Sequence, residues 1–227
     1  MTPIPTLPVA RRGFLVRLSQ FAAGMTALLS HPEALASASA VPPGGAAPDP
    51  DAWIDRLTGA QKVMIHAHQH FMTALIDART MLENARDAYG IPEAQYSIAV
   101  ITHGRAVQGL LRDEVWQRFG LGALSQVNDA RTGAPAIRNI YLTPQEGEPA
   151  DAAVPELMGR NVLFVACNVA LKNLAKKLAP AGTSSDPIRA ELAAGLVPGT
   201  VLVPDVFVSM QRAQKRGIAY VFTDRGR

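Results

Sequence analysis

The sequence predicts an α/β protein, a three-layer α/β/α domain around a mainly parallel sheet of about five strands. Short apolar runs rich in β-branched residues alternate along the chain with segments whose apolar residues recur every three or four positions. The clearest run, 96–102 (YSIAVIT), has an unbroken apolar centre, which is typical of a strand buried on both faces of a parallel sheet. Strands that alternate with helices in this way form parallel sheets with helices on both sides.

Five segments are predicted as strands. They are 62–67, 96–102, 162–166, 200–203 and 218–222. The longest predicted helix follows the first strand and ends at Gly90 and Pro92. One face of this helix carries apolar residues at spacings of four and three, namely Phe71, Leu75, Ala78, Leu82, Ala85 and Tyr89.

Three shorter helices are predicted after the later strands. The first begins after His103-Gly104, and its apolar positions are Val107, Leu110, Leu111 and Val115. The second follows Cys167, and the third covers 205–216. Between about 120 and 155 the chain is rich in Gly, Pro, Asn and acidic residues, which predicts an excursion from the sheet with a short edge strand at 137–142.

The first 40 residues have the three parts of an export signal. Arg11-Arg12 opens a weakly apolar stretch, and the small residues at 36–40 offer cleavage sites. The arginine pair is typical of twin-arginine translocation, which predicts a periplasmic protein without stable membrane insertion after processing. Arg17 interrupts the apolar stretch too early for a membrane-spanning helix. An uncleaved, membrane-tethered form is the alternative.

The predicted organisation is a twin-arginine signal peptide over 1–40, a flexible Pro/Gly/Ala-rich tether over 41–58 and a folded domain over 59–227. The leader holds three arginines and one glutamate, so 19 of the 22 basic and 18 of the 19 acidic residues remain after cleavage. The sequence has no basic stripe with interleaved aromatic residues, so no nucleic-acid partner is predicted. The single cysteine, Cys167, excludes an internal disulfide.

Residues with reactive or ligand-binding side chains collect at one edge of the predicted sheet. Ligands of open parallel α/β sheets bind beyond the carboxyl ends of the strands. His66 and His68 lie at the end of the first strand, His103 at the end of the second, and Cys167 and Asn168 at the end of the third. The sequence therefore predicts a binding site made of the three histidines and Asn168, with Cys167 as the candidate catalytic residue.

Two interpretations of Cys167 follow from its position. It ends an apolar strand and precedes a helix, whose N-terminal N–H groups stabilise a thiolate. Asn168 is the candidate N-cap of that helix. The thiolate is the form of cysteine that attacks as a nucleophile and accepts sulfur. The alternative is a small buried side chain without chemistry, because free cysteine is among the most buried residue types.

Other kinds of site fit the sequence less well. The run HAHQH at 66–70, with His103 and Cys167, has the donor atoms that copper or zinc prefers, but it lacks the ligand spacing of an established metal motif. No metal and no cofactor is therefore predicted. The isolated glycines form no phosphate-binding fingerprint, and the Gly-x-Ser-x-Gly elbow of serine hydrolases is missing. Asp205 is predicted to begin a helix rather than to act as an acid.

Three segments together resemble the DsrE/DsrF-like sulfur-relay family. They are 100–111 (VITHGRAVQGLL), 159–174 (GRNVLFVACNVALKNL) and 196–224 (LVPGTVLVPDVFVSMQRAQKRGIAYVFTD). The resemblance spans about 60–224 and implies a three-layer α/β/α domain with a parallel sheet, assembled as a homo-oligomer, a trimer or hexamer. In the sulfur-relay members a cysteine at the end of the central strand carries a persulfide, and Cys167 falls on that position.

The resulting hypothesis is an exported DsrE-like protein that binds or relays sulfur through a persulfide on Cys167, with a sulfur donor or acceptor protein as its partner. His66, His68 or His103 would then modulate the thiolate. Members of the family often have glycine after this cysteine, where this chain has Asn168. One alternative is a non-enzymatic oligomeric module of the periplasm that binds a small ligand or metal at the same edge. Another is a structural partner of a periplasmic complex.

Overall fold

The computed structural model describes residues 49–144 and 146–223. Within these ranges five strands form one sheet: β1 (Gln61–Ala67), β2 (Tyr96–Thr102), β3 (Leu163–Cys167), β4 (Val201–Val203) and β5 (Ala219–Phe222). Their order is β4-β3-β2-β1-β5, and every neighbouring pair is parallel. The predicted α/β fold with a parallel five-stranded sheet is confirmed.

Helices connect the strands. The described α-helices are α1 (Phe71–Asp87), α2 (Asp113–Phe119), α3 (Leu121–Ser125), α4 (Val154–Gly159), α5 (Asn168–Leu178), α6 (Asp186–Ala194) and α7 (Val206–Lys215). Short 3-10 helices cover Ala52–Arg56, Glu93–Gln95, Gly104–Leu110 and Ala150–Ala152. The apolar face of α1 is buried through Leu75, Ala78 and Leu82, as the helical spacing predicts.

The helices lie on both faces of the sheet. Phe71 of α1 packs edge-on against Phe164 of β3, with ring centroids 6.3 Å apart. Phe207 of α7 packs edge-on against His66 of β1 at 5.8 Å. The register places Phe164 in one row with Ile65, and Ile65 and its neighbour His66 point to opposite faces because side chains alternate along a strand. Helices α1 and α7 therefore cover opposite faces, which gives three layers.

The chain before β1 contributes to the core. Ala52–Arg56 forms a 3-10 helix, and Trp53, Ile54 and Leu57 are at most 3% exposed. These three side chains pack into the same hydrophobic cluster as the sheet. The folded domain therefore includes these residues, which lie within the predicted tether at 41–58. Removing their apolar side chains from water stabilises the packed arrangement.

The predicted signal peptide at 1–40 lies outside the described residues. In the part of the chain that is described, no helix combines the length and the apolar character needed to cross a bilayer.

The prediction of a single continuous helix after His103 is wrong. Gly104–Leu110 is a 3-10 helix, Leu111 is extended, and α2 begins only at Asp113. Leu111 forms an antiparallel bridge with Leu196, and the N–H of Val197 donates to the carbonyl of Leu110 at 2.8 Å. These bonds to a distant segment compete with the continuous helical pattern, and they divide it in two.

Two smaller predictions are also wrong. Tyr89 lies beyond the end of α1 and is 77% exposed, so it does not belong to the buried helix face. The segment 137–142 is irregular rather than an edge strand. The fully buried Asn139 holds it, since its Nδ2 donates to the carbonyls of Gly109 at 2.9 Å and Leu111 at 2.6 Å. Hydrogen bonds from this side-chain amide thus hold the segment in place of the backbone hydrogen bonds of an edge strand.

Candidate functional site

The carboxyl ends of β1 and β2 bring three imidazoles together. His68 and His103 follow these strands, and the N–H of His103 donates to the carbonyl of Ala67 at 2.9 Å. The rings of His68 and His103 stack, with centroids 5.4 Å apart and 16° between their planes. The ring of His66 lies 6.5 Å from that of His103. The three histidines predicted for the site therefore form one group, here called the imidazole cluster.

His66 is enclosed by aromatic rings. It is 6% exposed, and its Nδ1 lies 3.1 Å from the hydroxyl of Tyr220. The rings of Phe207 and Phe222 lie 5.8 and 5.5 Å from it. Tyr220, Phe207 and Phe222, here called the aromatic wall, are each about half exposed. The aromatic wall therefore shields a buried imidazole and also presents apolar surface to solvent.

His103 lies at the centre of the cluster. It contacts the ring of Phe207 edge-on at 4.8 Å, and its buried Nδ1 has no hydrogen-bond partner within the described residues. Burial lowers the pKa of His103 below its ordinary value of 6.5, and the neighbouring His68 lowers it further. The carboxylate of Asp205 acts in the opposite direction. The neutral imidazole is therefore favoured in the folded protein.

Gly104 makes the stacking of His68 on His103 possible. Its φ of +55° lies in the left-handed region, which glycine adopts without strain. A Cβ at this position would lie 2.3 Å from Cδ2 of His68. A larger residue would therefore displace the His68 ring from its place in the cluster.

A cavity of about 570 Å³ opens beside the imidazole cluster and is here called the imidazole cavity. His68 and His103 form one side of it. Helix α5 forms another side, with residues that share one face because positions three and four apart are neighbours on a helix: Ala170, Asn173, Leu174 and Lys177.

A second cavity of about 330 Å³ is lined by the first turn of α1 and is here called the α1 cavity. Tyr141 and Glu148 also line it. Burial raises the pKa of the Tyr141 hydroxyl, nearby Arg105 lowers it, and Glu148 raises it. Four residues line both cavities and are called the shared wall: Gln69, Arg105, Gln108 and Ser125.

Cys167 is fully buried at the end of β3, where it pairs with Val203 of β4. It occupies the N-cap position of α5, and its side chain makes no capping hydrogen bond. Among the described residues that line the imidazole and α1 cavities, Cys167 does not occur. A buried thiol offers no nucleophile to a partner until the side chains that cover it move.

Asn168 is not the N-cap that the sequence predicts. It is the first residue of α5, because the extended backbone of Cys167, with φ −85° and ψ 118°, already takes the N-cap position. The Oδ1 of Asn168 accepts a hydrogen bond from Arg189 at 3.4 Å. Asn168 therefore contacts α6 rather than the imidazole cluster.

Asp205 begins α7, as the sequence predicts. Its Oδ1 accepts hydrogen bonds from the N–H groups of Phe207 at 2.7 Å and Val208 at 3.3 Å. This is the geometry of an N-cap, which satisfies helix N–H groups that have no partner inside the helix. The same carboxylate lies close enough to His103 to raise its pKa, so a structural cap also contributes charge to the site.

Among the described residues, no three His, Cys, Asp or Glu side chains are arranged to hold a metal ion. The sequence analysis also missed four residues of the site, which are Arg105, Phe207, Tyr220 and Phe222. Two signals in the sequence could have identified three of them, Arg105, Tyr220 and Phe222. Arg105 directly follows His103-Gly104, and Tyr220 and Phe222 alternate along the last predicted strand, which places them on one face.

Comparison with known proteins assigns the chain to no family. No protein-family model matches the chain, and no curated protein matches it either. Among solved structures, the chain is similar to MTH1491 from Methanobacterium thermoautotrophicum, which is described as a protein of unknown function. The similarity has a sequence identity of 19% and a TM-score of 0.37, and it covers 71% of this chain and 98% of the other.

Proposed function

We propose that the protein is a non-enzymatic module that binds a small ligand at the carboxyl edge of its sheet. One observation supports this best: the imidazole cluster adjoins a cavity of about 570 Å³, while the only thiol of the chain is fully buried. The edge is also the place where open parallel α/β sheets bind their ligands.

The size and chemistry of the imidazole cavity suit a small molecule. Ligand pockets span about 300–1,000 Å³ and combine apolar surface with a few polar groups. Ala170 and Leu174 supply apolar surface here, and His68 and Asn173 supply hydrogen-bonding groups. Such a lining holds a ligand by its apolar body and orients it through a small number of hydrogen bonds.

His103 carries a polar atom that a ligand of the cavity could satisfy. It lines the cavity, and its Nδ1 is buried without a partner among the described residues. A buried polar atom without a hydrogen bond costs about 1–3 kcal/mol. Because this atom is covered, a ligand in the cavity reaches it only when the His103 ring turns, and a hydrogen bond made then recovers that cost.

A cavity-filling variant tests the proposal. Asn173→Trp places an indole in the imidazole cavity, and Lys172→Trp places the same side chain on an exposed position of α5 outside it. We expect small molecules found by ligand-observed NMR to bind the wild type and Lys172→Trp, and to bind Asn173→Trp at least about tenfold more weakly, a loss of about 1.4 kcal/mol. Equal binding to all three proteins would place the ligand elsewhere.

The second candidate function is the sulfur relay that the family resemblance implies. The observation in its favour is that Cys167 precedes α5, an eleven-residue helix whose N-terminal dipole stabilises a thiolate. In the relay the Cys167 thiolate attacks the outer sulfur of a donor persulfide, a new S–S bond forms on Cys167, and the donor leaves as a thiolate. This function requires a conformation that exposes the buried thiol, and thiol reactivity in the folded protein tests it.

We also propose that the chain is exported by the twin-arginine route to the periplasm and assembles as a homo-oligomer. Replacement of Arg11 and Arg12 together by Lys is expected to leave unprocessed protein in the cytoplasm, as cell fractionation would measure. The half-exposed aromatic wall supports assembly, because apolar patches on a protein surface often mark contact sites. A monomer in light scattering at micromolar concentration would contradict the assembly.

A further inference from the structure

Hydrogen-bond donors collect at the shared wall, where the imidazole cavity meets the α1 cavity. The guanidinium of Arg105 donates one long hydrogen bond, of 3.4 Å, to the carbonyl of Ser125. Within the described residues no carboxylate lies within ion-pair distance of it. Arg105 therefore has most of its donors and its whole charge available to a molecule in either cavity.

Gln108 supplies a second donor from the protein interior. It is 8% exposed and lines both cavities. Its Oε1 accepts a hydrogen bond from the hydroxyl of Ser125 at 2.5 Å. That contact leaves Nε2 without an acceptor in the described part of the chain. The Nε2 atom itself is not sealed from solvent, so this donor is open to the cavities, where an acceptor from outside the protein can bind it.

The start of α1 adds a third set of donors. Phe71, Met72 and Thr73 form the first turn of this seventeen-residue helix and line the α1 cavity. The side chain of the N-cap residue, His70, makes no capping hydrogen bond to this turn. The backbone N–H groups of a first helical turn have no partner within the helix, and the helix dipole favours a negative charge beside them.

The charged residues around the shared wall favour an anion on one side of it. None of the described residues that line the imidazole cavity is Asp or Glu, and Lys177 lines it together with Arg105. Glu148 lines the α1 cavity and is the carboxylate that opposes an anion there. Arg105, Lys177 and the amide donor therefore line the imidazole cavity, and Glu148 lines only the α1 cavity. The Asp205 carboxylate acts on His103 but does not line either cavity.

We propose that the shared wall binds an oxyanion, a carboxylate or phosphate group, through Arg105 and the Nε2 of Gln108. The inference deepens the proposed function, on which it rests: the small ligand of the imidazole cavity is an organic anion, and this group is its charged end. The guanidinium group donates to two oxygens of either oxyanion, and the amide nitrogen donates to a remaining lone pair of the same group. The apolar part of the ligand then extends along Ala170 and Leu174.

Titration of the full chain with inorganic phosphate and with acetate tests this assignment, with acetamide as the uncharged control. We expect saturable binding of the two anions by calorimetry and no binding of acetamide. Arg105→Gln is expected to weaken anion binding by about tenfold to a hundredfold, because a hydrogen bond to a charged group contributes about 1.5–3 kcal/mol. Arg86→Gln removes the same charge at the far end of α1 and is expected to bind like the wild type.

Glu148→Gln and Gln108→Glu test the assignment with opposite signs. The first removes a negative charge from the α1 cavity and is expected to strengthen anion binding. The second keeps an oxygen for the Ser125 hydroxyl, replaces the donor with a carboxylate, and is expected to weaken anion binding. Unchanged affinity in Arg105→Gln, with the wild type binding small neutral molecules in the imidazole cavity, would overturn the anion assignment alone. A wild-type protein that binds neither the anions nor small neutral molecules would overturn the proposed function itself.

Discussion

The imidazoles of His68 and His103 stack at 5.4 Å between ring centroids, and they come from the ends of two different strands. The parallel pairing of β1 with β2 brings the strand ends to the same level, and Gly104 leaves the space that the His68 ring fills. Two rings in this arrangement are compatible when neutral and repel each other when both are protonated. The stacked arrangement should therefore become less stable as the histidines take up protons.

The stability of the protein should fall as the pH falls below the ordinary histidine value. The pKa of His103 is lowered by burial, so the unfolded chain takes up a proton that the folded chain resists. The stabilising contribution of the neutral ring is complete above pH 6.5 and is lost as the pH drops below that value. Urea denaturation at about pH 7.5 and about pH 5.5 measures the difference.

His103→Phe is the matched variant for this pH effect. It keeps an aromatic ring for His68 and Phe207 and removes the titrating group. We expect a smaller pH dependence of the urea midpoint in this variant than in the wild type. An identical pH dependence in wild type and His103→Phe would show that His103 is not the group responsible.

Asp205 is expected to influence both α7 and His103. Asp205→Ala removes the cap of α7 and should destabilise the protein by about 1 kcal/mol. Asp205→Asn keeps an acceptor for the helix N–H groups and removes the negative charge, so stability should change less while the pKa of His103 falls further. NMR titration of the His103 ring protons measures the second effect. A rise in that pKa in Asp205→Asn would contradict the assigned role of the carboxylate.

Cys167 is expected to resist alkylation in the folded protein. Its side chain is fully buried, so reaction requires a local or global opening. We expect the rate with a thiol reagent to rise by about a hundredfold or more when denaturant is added. Because the chain has one cysteine, the signal needs no correction for other thiols. Rapid alkylation without denaturant, with uptake of a sulfur atom from a persulfide donor, would favour the sulfur relay.

Asn139 should be one of the most sensitive polar positions. Its amide donates to two buried backbone carbonyls, and its Oδ1 accepts from the N–H of Tyr141 at 2.9 Å. Asn139→Ala leaves these groups without partners and is expected to destabilise the protein by about 3 kcal/mol. Asn84→Ala, on the exposed face of α1, should change stability by less than about 0.5 kcal/mol. Similar denaturation midpoints for the two variants would mean that the Asn139 contacts contribute little.

The three central strands could be predicted from the sequence because they are buried on both faces of the sheet. Tyr96–Thr102 has an unbroken apolar centre in the sequence and is the same strand in the structure. The shorter strands differ from their predicted bounds by about one residue, which is the usual uncertainty of a strand end. The helix after His103 could not be predicted, because the bond between Leu110 and Val197 depends on a segment far along the chain.

The histidines of the site could be predicted, and the state of the cysteine could not. Parallel strands end at one edge, so the positions of His68 and His103 in the sequence were enough to bring them together. The burial of Cys167 depends on the side chains that cover it from other elements, and strand position alone does not give this. Arg105 was missed because its role depends on Gln108 and Ser125, which reach the same wall only in the folded chain.

The most direct test of small-ligand binding is native mass spectrometry of the protein isolated from its producing cells without denaturation. We expect a noncovalent small molecule of one discrete mass on the wild type and on Lys172→Trp, and its absence from Asn173→Trp. The molecule should dissociate under denaturing conditions and leave an unmodified chain. An empty wild-type chain, or a mass increase of one sulfur atom that survives denaturation and disappears in Cys167→Ser, would contradict the account.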